Sequence, residues 1–489
     1  MRANTSARRG PAALALALAA AAVLSGCAST TSGQATSPLA DPFRVAGLPA
    51  EDGPNGLRDN APEPQGEVLR SDGGEIDTLA LLAINDIEQY WDEHFDDAFG
   101  GTFDKVDSLL SYDSREPLSD RICGTDTYEM ANAFYCLPVH GIAWDRGVLL
   151  PIGTKYFTDM GVVAVLAHEY GHALQNRGGL VEDPLTTPGV VMEQQADCLT
   201  GMYLRWVAEG NSHRFQLNTG DGLNRVLAGV IAIGDPPLGP LDHRGVTEGH
   251  GSALDRVSAV QMGFTTGADA CAAIDLEEIE HRRGDLPLMM DVDDLLEPGA
   301  GQRELDADLL DNLGTDMARI FDLSEPPALS LDVAAMDCPD ATVVQPATYC
   351  PATNTVAVDL DGLRSMGKES DLSELTLQQG DYTALSVLMS RYALAAQHAR
   401  GLPLDGAATA LRTACLTGAA HRSLSAADAG DSPLALNAGD VDETVSGVLT
   451  TGLVASDVNG ATIPAGFTRI HAYRSGLIDG DIDACFERF

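Results

Sequence analysis

The chain reads, from residue 165 to residue 175, Val165-Leu166-Ala167-His168-Glu169-Tyr170-Gly171-His172-Ala173-Leu174-Gln175. Residues four apart share one face of a helix, so a helix here would place His168 and His172 side by side. Two such imidazoles can bind one Zn²⁺, and the carboxylate of Glu169 can reach a water at the metal without being a ligand. The apolar neighbours indicate a buried, rigid helix. The alternative is an ordinary core helix whose histidines are satisfied by hydrogen bonds.

The beginning of the chain has the pattern of an export signal, predicted over residues 1–27. Arginines near the N-terminus precede an Ala/Leu run that ends in Leu24-Ser25-Gly26-Cys27. A short apolar run followed by small residues is typical of a signal peptide rather than of a membrane span. Because the ending resembles a bacterial lipobox, we expect Cys27 to be lipidated and to anchor the protein to the outer face of the cell membrane. The alternative is a plain signal peptide, which would give a secreted protein.

The amino-acid composition predicts the character of residues 28–74 and of the protein surface. Residues 28–74 are rich in Ser, Thr, Pro, Gly and Asp without a sustained apolar period, which predicts a flexible tether. The whole chain has 30 Lys and Arg against 72 Asp and Glu, a net charge of −42. This charge disfavours nucleic acid and bare anionic membrane as partners. The acidic residues are spread along the chain, so they are expected to form a solvated surface.

The cysteines are more informative by spacing than by number. Nine are present, and without Cys27 an even number remains, as suits an oxidising exterior. The remaining eight form two sets of four with successive gaps of 13, 62 and 73 residues and of 12, 65 and 70 residues. The first set is Cys123, Cys136, Cys198 and Cys271, and the second is Cys338, Cys350, Cys415 and Cys485.

The two sets have similar neighbours, which predicts an internal repeat. The matched stretches include Phe134-Tyr135-Cys136 with Thr348-Tyr349-Cys350, Cys198-Leu199-Thr200-Gly201 with Cys415-Leu416-Thr417-Gly418, and Asp269-Ala270-Cys271 with Asp483-Ala484-Cys485. We therefore predict two homologous domains, residues 75–275 and 297–489, joined by a linker over 276–296. Chance similarity in an Ala/Leu/Gly-rich chain is the alternative.

The same alignment suggests a pairing of the cysteines, although four cysteines permit three pairings in each domain. The short loop between the first two cysteines favours joining them. The suggested bridges are Cys123 with Cys136, Cys198 with Cys271, Cys338 with Cys350, and Cys415 with Cys485.

The alignment also places a second copy of the histidine helix near residue 390. Ser390, Arg391 and Leu394 occupy the places of His168, Glu169 and His172. These side chains cannot hold zinc in this way. The second domain is therefore predicted to be a degenerate, non-catalytic copy.

A catalytic zinc needs a third protein ligand and one open position. A histidine six residues after His172 would be one solution, but Gly178 stands there. Glu193 and Asp197 lie four apart in an apolar helical stretch, so they are expected on one face. We predict Glu193 as third ligand and Asp197 as the acceptor for the free nitrogen of a zinc-bound histidine. The alternative is a pair of solvated surface carboxylates.

These motifs together resemble a family of bacterial neutral zinc metallopeptidases, a gluzincin-like group. The resemblance covers roughly residues 75–275. It rests on His168-Glu169-Tyr170-Gly171-His172, on the Glu193 to Gly201 stretch, on Cys123-Gly124 and Tyr135-Cys136, and on His250-Gly251-Ser252 followed by Arg256. It implies His168, His172 and Glu193 as zinc ligands and Glu169 as the catalytic base.

The expected fold and function follow from the resemblance and the repeat. We predict an α+β fold: a mostly helical, zincin-like domain with a small β-hairpin or sheet, present in duplicate. The expected activity is zinc-dependent hydrolysis of a peptide or protein substrate.

His250 is the candidate donor to the oxyanion, with helix capping or packing as its alternative role. Residues 141–145 are expected to form a strand that pairs with substrate backbone. The rival function is a zinc-retaining scaffold lipoprotein whose second domain recruits a partner. The natural substrate and the oligomeric state are outside what the sequence indicates.

Overall fold

About half of the described residues are helical, and small sheets accompany the helices. The computed structural model describes residues 41–117, 121–181, 183–184, 186–239, 241–242, 244–290, 301–369, 377–425, 429 and 432–489. We call residues 41–290 the N-terminal part and residues 301–489 the C-terminal part. The α+β class is confirmed. The predicted signal and Cys27 lie outside the described residues.

The helices have the following bounds. In the N-terminal part they are α1 (Glu75–Phe99), α2 (Leu149–Arg177), α3 (Gly189–Ala208), α4 (Asp221–Ala232), α5 (Gly245–Glu248), α6 (Ala253–Thr265), α7 (Ala268–Ala272) and α8 (Leu276–Arg283). In the C-terminal part they are α9 (Ala307–Ile320), α10 (Leu360–Met366), α11 (Asp381–Ala399), α12 (Ala407–Ser423), α13 (Asp440–Thr450), α14 (Gly466–Asp479) and α15 (Ile482–Arg488).

The strands are short. They are β1 (Arg44–Val45), β2 (Leu48–Pro49), β3 (Gly56–Leu57), β4 (Ser108–Tyr112), β5 (Ala133–Cys136), β6 (Gly141–Asp145), β7 (Phe215–Gln216), β8 (Ala328–Ser330), β9 (Ala347–Cys350) and β10 (Thr355–Val358). Each part contains a three-stranded sheet. Strand β6 lies between parallel β4 and antiparallel β5, and β10 lies between parallel β8 and antiparallel β9.

Helix α2 carries the histidine motif and is interrupted before it. Thr158 has φ +66°, in the left-handed region, so the helix restarts after it. Among the described residues, α2 is long and apolar enough to cross a membrane, a test that core helices also pass. Because residues around the motif, such as Leu166 and Leu174, are fully buried, α2 is a core helix of the fold.

One hydrophobic core runs through both parts. Phe264 of α6 and Phe467 of α14 are in contact, with ring centroids 5.2 Å apart. The predicted linker contributes to this core, because α8 lies within it and Ile279 is fully buried. A charged sequence can form a helix whose few apolar residues find a tertiary contact, so this part of the linker is packed, and its role as a linker between two domains stays a prediction. The other domain boundaries stay predictions.

The predicted tether is also partly packed. Residues 28–40 lie outside the described residues, but β1 pairs with β2, β3 pairs with β7, and Val45 is fully buried. The Nε of Arg58 donates to the carbonyl oxygens of Ser212 and Phe215 at 3.1 and 2.9 Å. A flexible tether is therefore wrong for residues 41–74. Composition missed this because the segment is held by hydrogen bonds to distant backbone rather than by an apolar face of its own.

Disulfides and glycines set the helix packing. The structure joins the four cysteine pairs that the internal alignment suggested, at Cα separations of 5.4 to 6.0 Å. Helices α3 and α6 cross in close contact, because a Cβ on Gly201 would overlap the carbonyl oxygen of Val260. Helices α12 and α14 cross in the same way at Gly418 and the carbonyl oxygen of Tyr473. Only glycine permits such backbone contact.

Alanine at either crossing is expected to force the helices apart. Gly201→Ala and Gly418→Ala should each lower the free energy of unfolding by about 2–3 kcal/mol, as overpacking of a core does. Gly239→Ala is the control, because no atom lies within 4 Å of the added Cβ, and a change within about 0.5 kcal/mol is expected. Urea unfolding followed by circular dichroism measures the difference. Equal stability of Gly201→Ala and Gly239→Ala would contradict the close crossing of α3 and α6 at Gly201.

Candidate metal centre

A glycine brings α3 against the histidine helix. Gly171 precedes His172 on α2 and faces α3. A Cβ at this position would lie 2.9 Å from the Cα of Ala196, a separation that real side chains do not adopt. The absence of a side chain therefore lets the two helices approach closely. The approach brings Glu193 of α3 to the two histidines of α2.

The three predicted ligand residues converge. The Nε2 of His168 lies 3.1 Å from Oε2 of Glu193, and the Nε2 of His172 lies 3.6 Å from Oε1 of the same carboxylate. All three ligand atoms lie within 4.8 Å of one another. Ligand atoms about 2.1 Å from a tetrahedral ion are roughly 3.4 Å apart. Two nitrogens and a carboxylate at these separations therefore fit a zinc ion.

Hydrogen bonds at the other ring nitrogen orient both histidines. The Nδ1 of His168 lies 2.8 Å from Oδ1 of Asp197, and the Nδ1 of His172 lies 3.1 Å from Oε1 of Gln175. An acceptor at Nδ1 favours the tautomer that carries its proton there, which leaves Nε2 as the lone-pair donor. Both histidines thus present Nε2 to the same point.

Asp197 is fixed in turn by Arg256 of α6. The guanidinium donates two hydrogen bonds to the carboxylate, at 2.9 and 2.8 Å, and both side chains are buried. Burial alone would raise the pKa of Asp197, but the charges of Arg256 and His168 lower it overall. Burial alone would lower the pKa of His168, but Asp197 and Glu193 raise it to about 10. These carboxylates therefore favour positive charge at the centre.

Glu169 lies beside the centre and is oriented by a strand. Its Oε2 accepts a hydrogen bond of 3.0 Å from the backbone N–H of Tyr135 in β5. Burial raises the pKa of the Glu169 carboxyl above its usual value, and the charges of His168 and His172 oppose this rise. The bond to Oε2 leaves Oε1 available for proton transfer.

The strand next to the centre is β5, so the expectation that residues 141–145 pair with substrate was wrong. These residues form β6, whose two edges are occupied by β4 and β5. Backbone groups alternate in direction along a strand. The N–H of Tyr135 points away from β6, towards Glu169, so the free edge belongs to β5. A hairpin pattern in sequence does not tell which strand lies at the edge, because a third strand can pair from elsewhere in the chain.

His250 stands at the rim of the centre. Its Nε2 lies 3.9 Å from Oε2 of Glu193, its Nδ1 lies 3.1 Å from Oδ1 of Asp235, and its side chain is 54% exposed. The hydrogen bond to Asp235 raises the pKa of His250 above its usual value. The N-cap of α6 is Ser252, so His250 does not cap this helix.

A cavity of about 180 Å³ opens beside the centre. His168 and Glu169 lie at its wall, together with His250 and Arg256. The rest of the lining comes largely from α2 and α4 and is mainly apolar, including Val162, Val165, Val226, Val230 and Ile233. The arrangement can accommodate an apolar group next to the reactive atoms.

The helix of the C-terminal part that aligns with the motif carries no metal-binding side chain at the three aligned positions. Ser390, Arg391 and Leu394 lie on α11, and all three are fully buried. The Nη2 of Arg391 donates to the carbonyl oxygen of Leu453 at 2.6 Å and to Oγ of Ser456 at 2.9 Å. Burial lowers the pKa of Arg391 to about 10. A buried guanidinium thus stands at the position that aligns with Glu169.

Two other clusters of potential ligands have partners already. Asp381 and Asp440 both form ion pairs with Arg303, at 3.0 and 3.2 Å. Cys338 and Cys350 are joined in a disulfide. Among the described residues, the convergent set on α2 and α3 is therefore the one that suits zinc.

The sequence interpretation gave no role to three residues that hold the centre. Arg256 belongs to the His250-Gly251-Ser252 motif, and a lone arginine in an apolar helix indicates a buried ion pair. Gln175 directly follows the apolar end of the motif, but nothing in the sequence relates it to the Nδ1 of His172. Asp235 lies in a loop, and no sequence pattern connects it with His250.

The comparisons with known proteins point in the same direction. A family model described as "Putative neutral zinc metallopeptidase" matches residues 40–274, slightly less than half of the chain. The matched region contains all the residues of the centre and begins within the predicted tether. This family suggests a hydrolase that uses zinc. No curated protein and no solved structure matches the chain.

Removal of any ligand is expected to remove the metal. His168→Ala, His172→Ala and Glu193→Ala should each reduce bound zinc from about one ion per chain to nearly none after dialysis, because two ligands hold zinc weakly. Elemental analysis of the purified chain measures this. His213→Ala is the control, since this exposed histidine lies outside the centre. A full zinc content in Glu193→Ala would contradict the assignment of Glu193 as the third ligand. Two zinc ions per wild-type chain would imply a second site.

Proposed function

We propose that the chain is a zinc-dependent endopeptidase. The observation that carries the proposal is the convergence of His168 and His172, through Nε2, on Glu193, with Glu169 oriented beside them. Two histidines, one carboxylate and a nearby unligated carboxylate are the parts that metal-assisted peptide hydrolysis requires. The family match over residues 40–274 supports the same reaction class.

The residues of the chain have separate tasks in this mechanism. Bound by the three ligands, zinc would supply Lewis acidity to a water and to the scissile carbonyl. Glu169 takes the proton of the attacking water at Oε1 and delivers it to the leaving amine. The Nε2 of His250 donates a hydrogen bond to the developing oxyanion, while Asp235 holds its Nδ1. Arg256 acts indirectly, because it fixes the carboxylate that orients His168.

The surroundings favour an extended peptide as the substrate. The free edge of β5 offers backbone groups to a peptide strand beside Glu169. The mainly apolar cavity between α2 and α4 suits an apolar substrate side chain next to the scissile bond. The motif helix next to an edge strand also supports a zincin-like arrangement of the N-terminal part.

Loss of the general base is expected to abolish cleavage without loss of metal. Glu169→Gln should lower kcat/KM on a peptide library rich in apolar residues by at least about a hundredfold, the scale of general-base catalysis, and should retain zinc. Glu248→Gln, at an exposed position near the centre, is the control and should cleave normally. Undiminished cleavage by Glu169→Gln would refute the mechanism. A wild-type chain that binds zinc but cleaves no peptide would favour the scaffold alternative.

We propose further that the C-terminal part is a degenerate copy of the N-terminal part. Matched disulfides, the same strand order in the two three-stranded sheets, and helix crossings at Gly201 and at Gly418 support this. Tyr135 and Tyr349, which align in the repeat, occupy corresponding positions in β5 and β9. The replacement of Glu169 by a buried Arg391 supports loss of activity in this copy.

We also propose that the protein is exported and anchored by a lipid on Cys27. The basic start, the short Ala/Leu run and Leu24-Ser25-Gly26-Cys27 support this location. Four disulfides suit an oxidising compartment outside the cytoplasm.

Replacement of the predicted lipidation site is expected to release the protein. Wild-type protein should incorporate labelled fatty acid and sediment with membranes, whereas Cys27→Ser should do neither, because the thiol that accepts the lipid is absent. Fractionation of cells fed labelled palmitate measures both. Cys198→Ser is a control for general effects of cysteine loss on export. Membrane association of Cys27→Ser equal to that of the wild type would exclude this anchor.

A further inference from the structure

The two parts of the chain meet at the helix that carries Arg256. Helix α6 of the N-terminal part contacts α13 and α14 of the C-terminal part. The Nε2 of Gln261 donates to the carbonyl oxygen of Phe467 at 2.8 Å, and the Nη1 of Arg474 lies 3.4 Å from the carbonyl oxygen of Ser258. The position of α6 is therefore set partly by residues more than two hundred positions away.

A carboxylate from the C-terminal part completes the start of α6. Oδ1 of Asp442, on α13, accepts a hydrogen bond of 3.3 Å from the backbone N–H of Leu254, and the N–H of Ala253 also interacts with this carboxylate. Ser252 satisfies only the N–H of Asp255 at the same helix end. First-turn N–H groups have no partner within their own helix. Asp442 thus supplies a hydrogen-bond acceptor for first-turn N–H groups that Ser252 does not bind.

The first turn of α6 is directly connected to the metal centre. Arg256 follows Leu254 by two residues and binds Asp197, which binds the Nδ1 of His168. His250 precedes the N-cap Ser252 by two residues. A shift of this turn would therefore move both the support of a ligand and the proposed oxyanion donor.

We propose that Asp442 is a positioning residue for the zinc centre. The N-terminal part then requires the C-terminal part, through this contact, to hold the zinc centre in place. The inference rests on the proposed zinc centre. It gives the C-terminal part a task that needs neither a metal nor a recruited partner. Asp442 touches no ligand itself; it acts through α6, Arg256 and Asp197.

The reverse contact offers a matched control. Oδ1 of Asn224, on α4 of the N-terminal part, accepts a hydrogen bond of 2.8 Å from the backbone N–H of Gly466 at the start of α14. Each part therefore binds the first turn of a helix in the other part. The hydrogen bonds from α14 reach α6 at Ser258 and Gln261, beyond Arg256, whereas Asp442 binds the first turn of α6. Loss of the Asn224 contact should therefore disturb the interface with little effect on zinc.

The test compares zinc affinity in full-length variants. Asp442→Ala is expected to bind zinc about tenfold more weakly in a chelator competition, at the lower end of effects seen for residues behind the ligands. Asp442→Asn keeps the acceptor and should stay within about twofold of the wild type. The amide oxygen of asparagine can accept the N–H of Leu254 in place of Oδ1 of Asp442. Asn224→Ala should also stay within about twofold.

A spectroscopic measurement separates positioning from general destabilisation. In protein loaded with Co²⁺, Asp442→Ala should alter the visible absorption bands, which report ligand geometry, whereas Asp442→Asn and Asn224→Ala should not. If Asp442→Ala does not fold, Asp442→Ser provides a milder loss with the same expected order. Wild-type affinity and spectrum in a folded Asp442→Ala would overturn the proposal, as would equal losses in Asn224→Ala. Zinc affinity and the Co²⁺ spectrum do not depend on peptide cleavage. The role of Asp442 can therefore be tested even if the chain cleaves no peptide.

Discussion

Helix α3 lies at backbone contact distance from both α2 and α6, and the metal centre depends on this packing. Gly171 removes the side chain that would separate α2 from α3, and Gly201 does the same between α3 and α6. Glu193 and Asp197 project from α3 into the space between these neighbours. Since a methyl group at either crossing would overlap the facing backbone, this close approach of the helices requires the glycines.

The centre is an electrostatic chain as well as a packing arrangement. Arg256 offsets the buried charge of Asp197, which in turn orients His168 and favours positive charge at the ligands. A buried carboxylate without such partners would be costly. The guanidinium of Arg256, which balances this charge, belongs to α6, and the first turn of α6 is bound by the C-terminal part. The function of the site and the association of the two parts are therefore physically connected.

Several features were accessible from local sequence patterns. The histidine spacing predicted a helix with both imidazoles on one face, and the Glu193 and Asp197 spacing predicted a second helix that meets the first. The cysteine spacing suggested the four disulfides that the structure contains. These predictions succeed because they depend on helical periodicity or on internal comparison. Residues 41–74 were misjudged as a flexible tether because their order comes from contacts with distant segments.

The amino-acid sequence by itself determined which groups are available: two histidines four apart, a neighbouring glutamate, two carboxylates on another helix and two similarly spaced sets of four cysteines. Only the tertiary structure decided how they are used. It made β5 rather than β6 the edge strand beside Glu169, placed His250 on Asp235, and brought Asp442 to the first turn of α6. The physical reason is that helix periodicity acts over a few residues, whereas packing and buried hydrogen bonds join residues that are far apart in the chain.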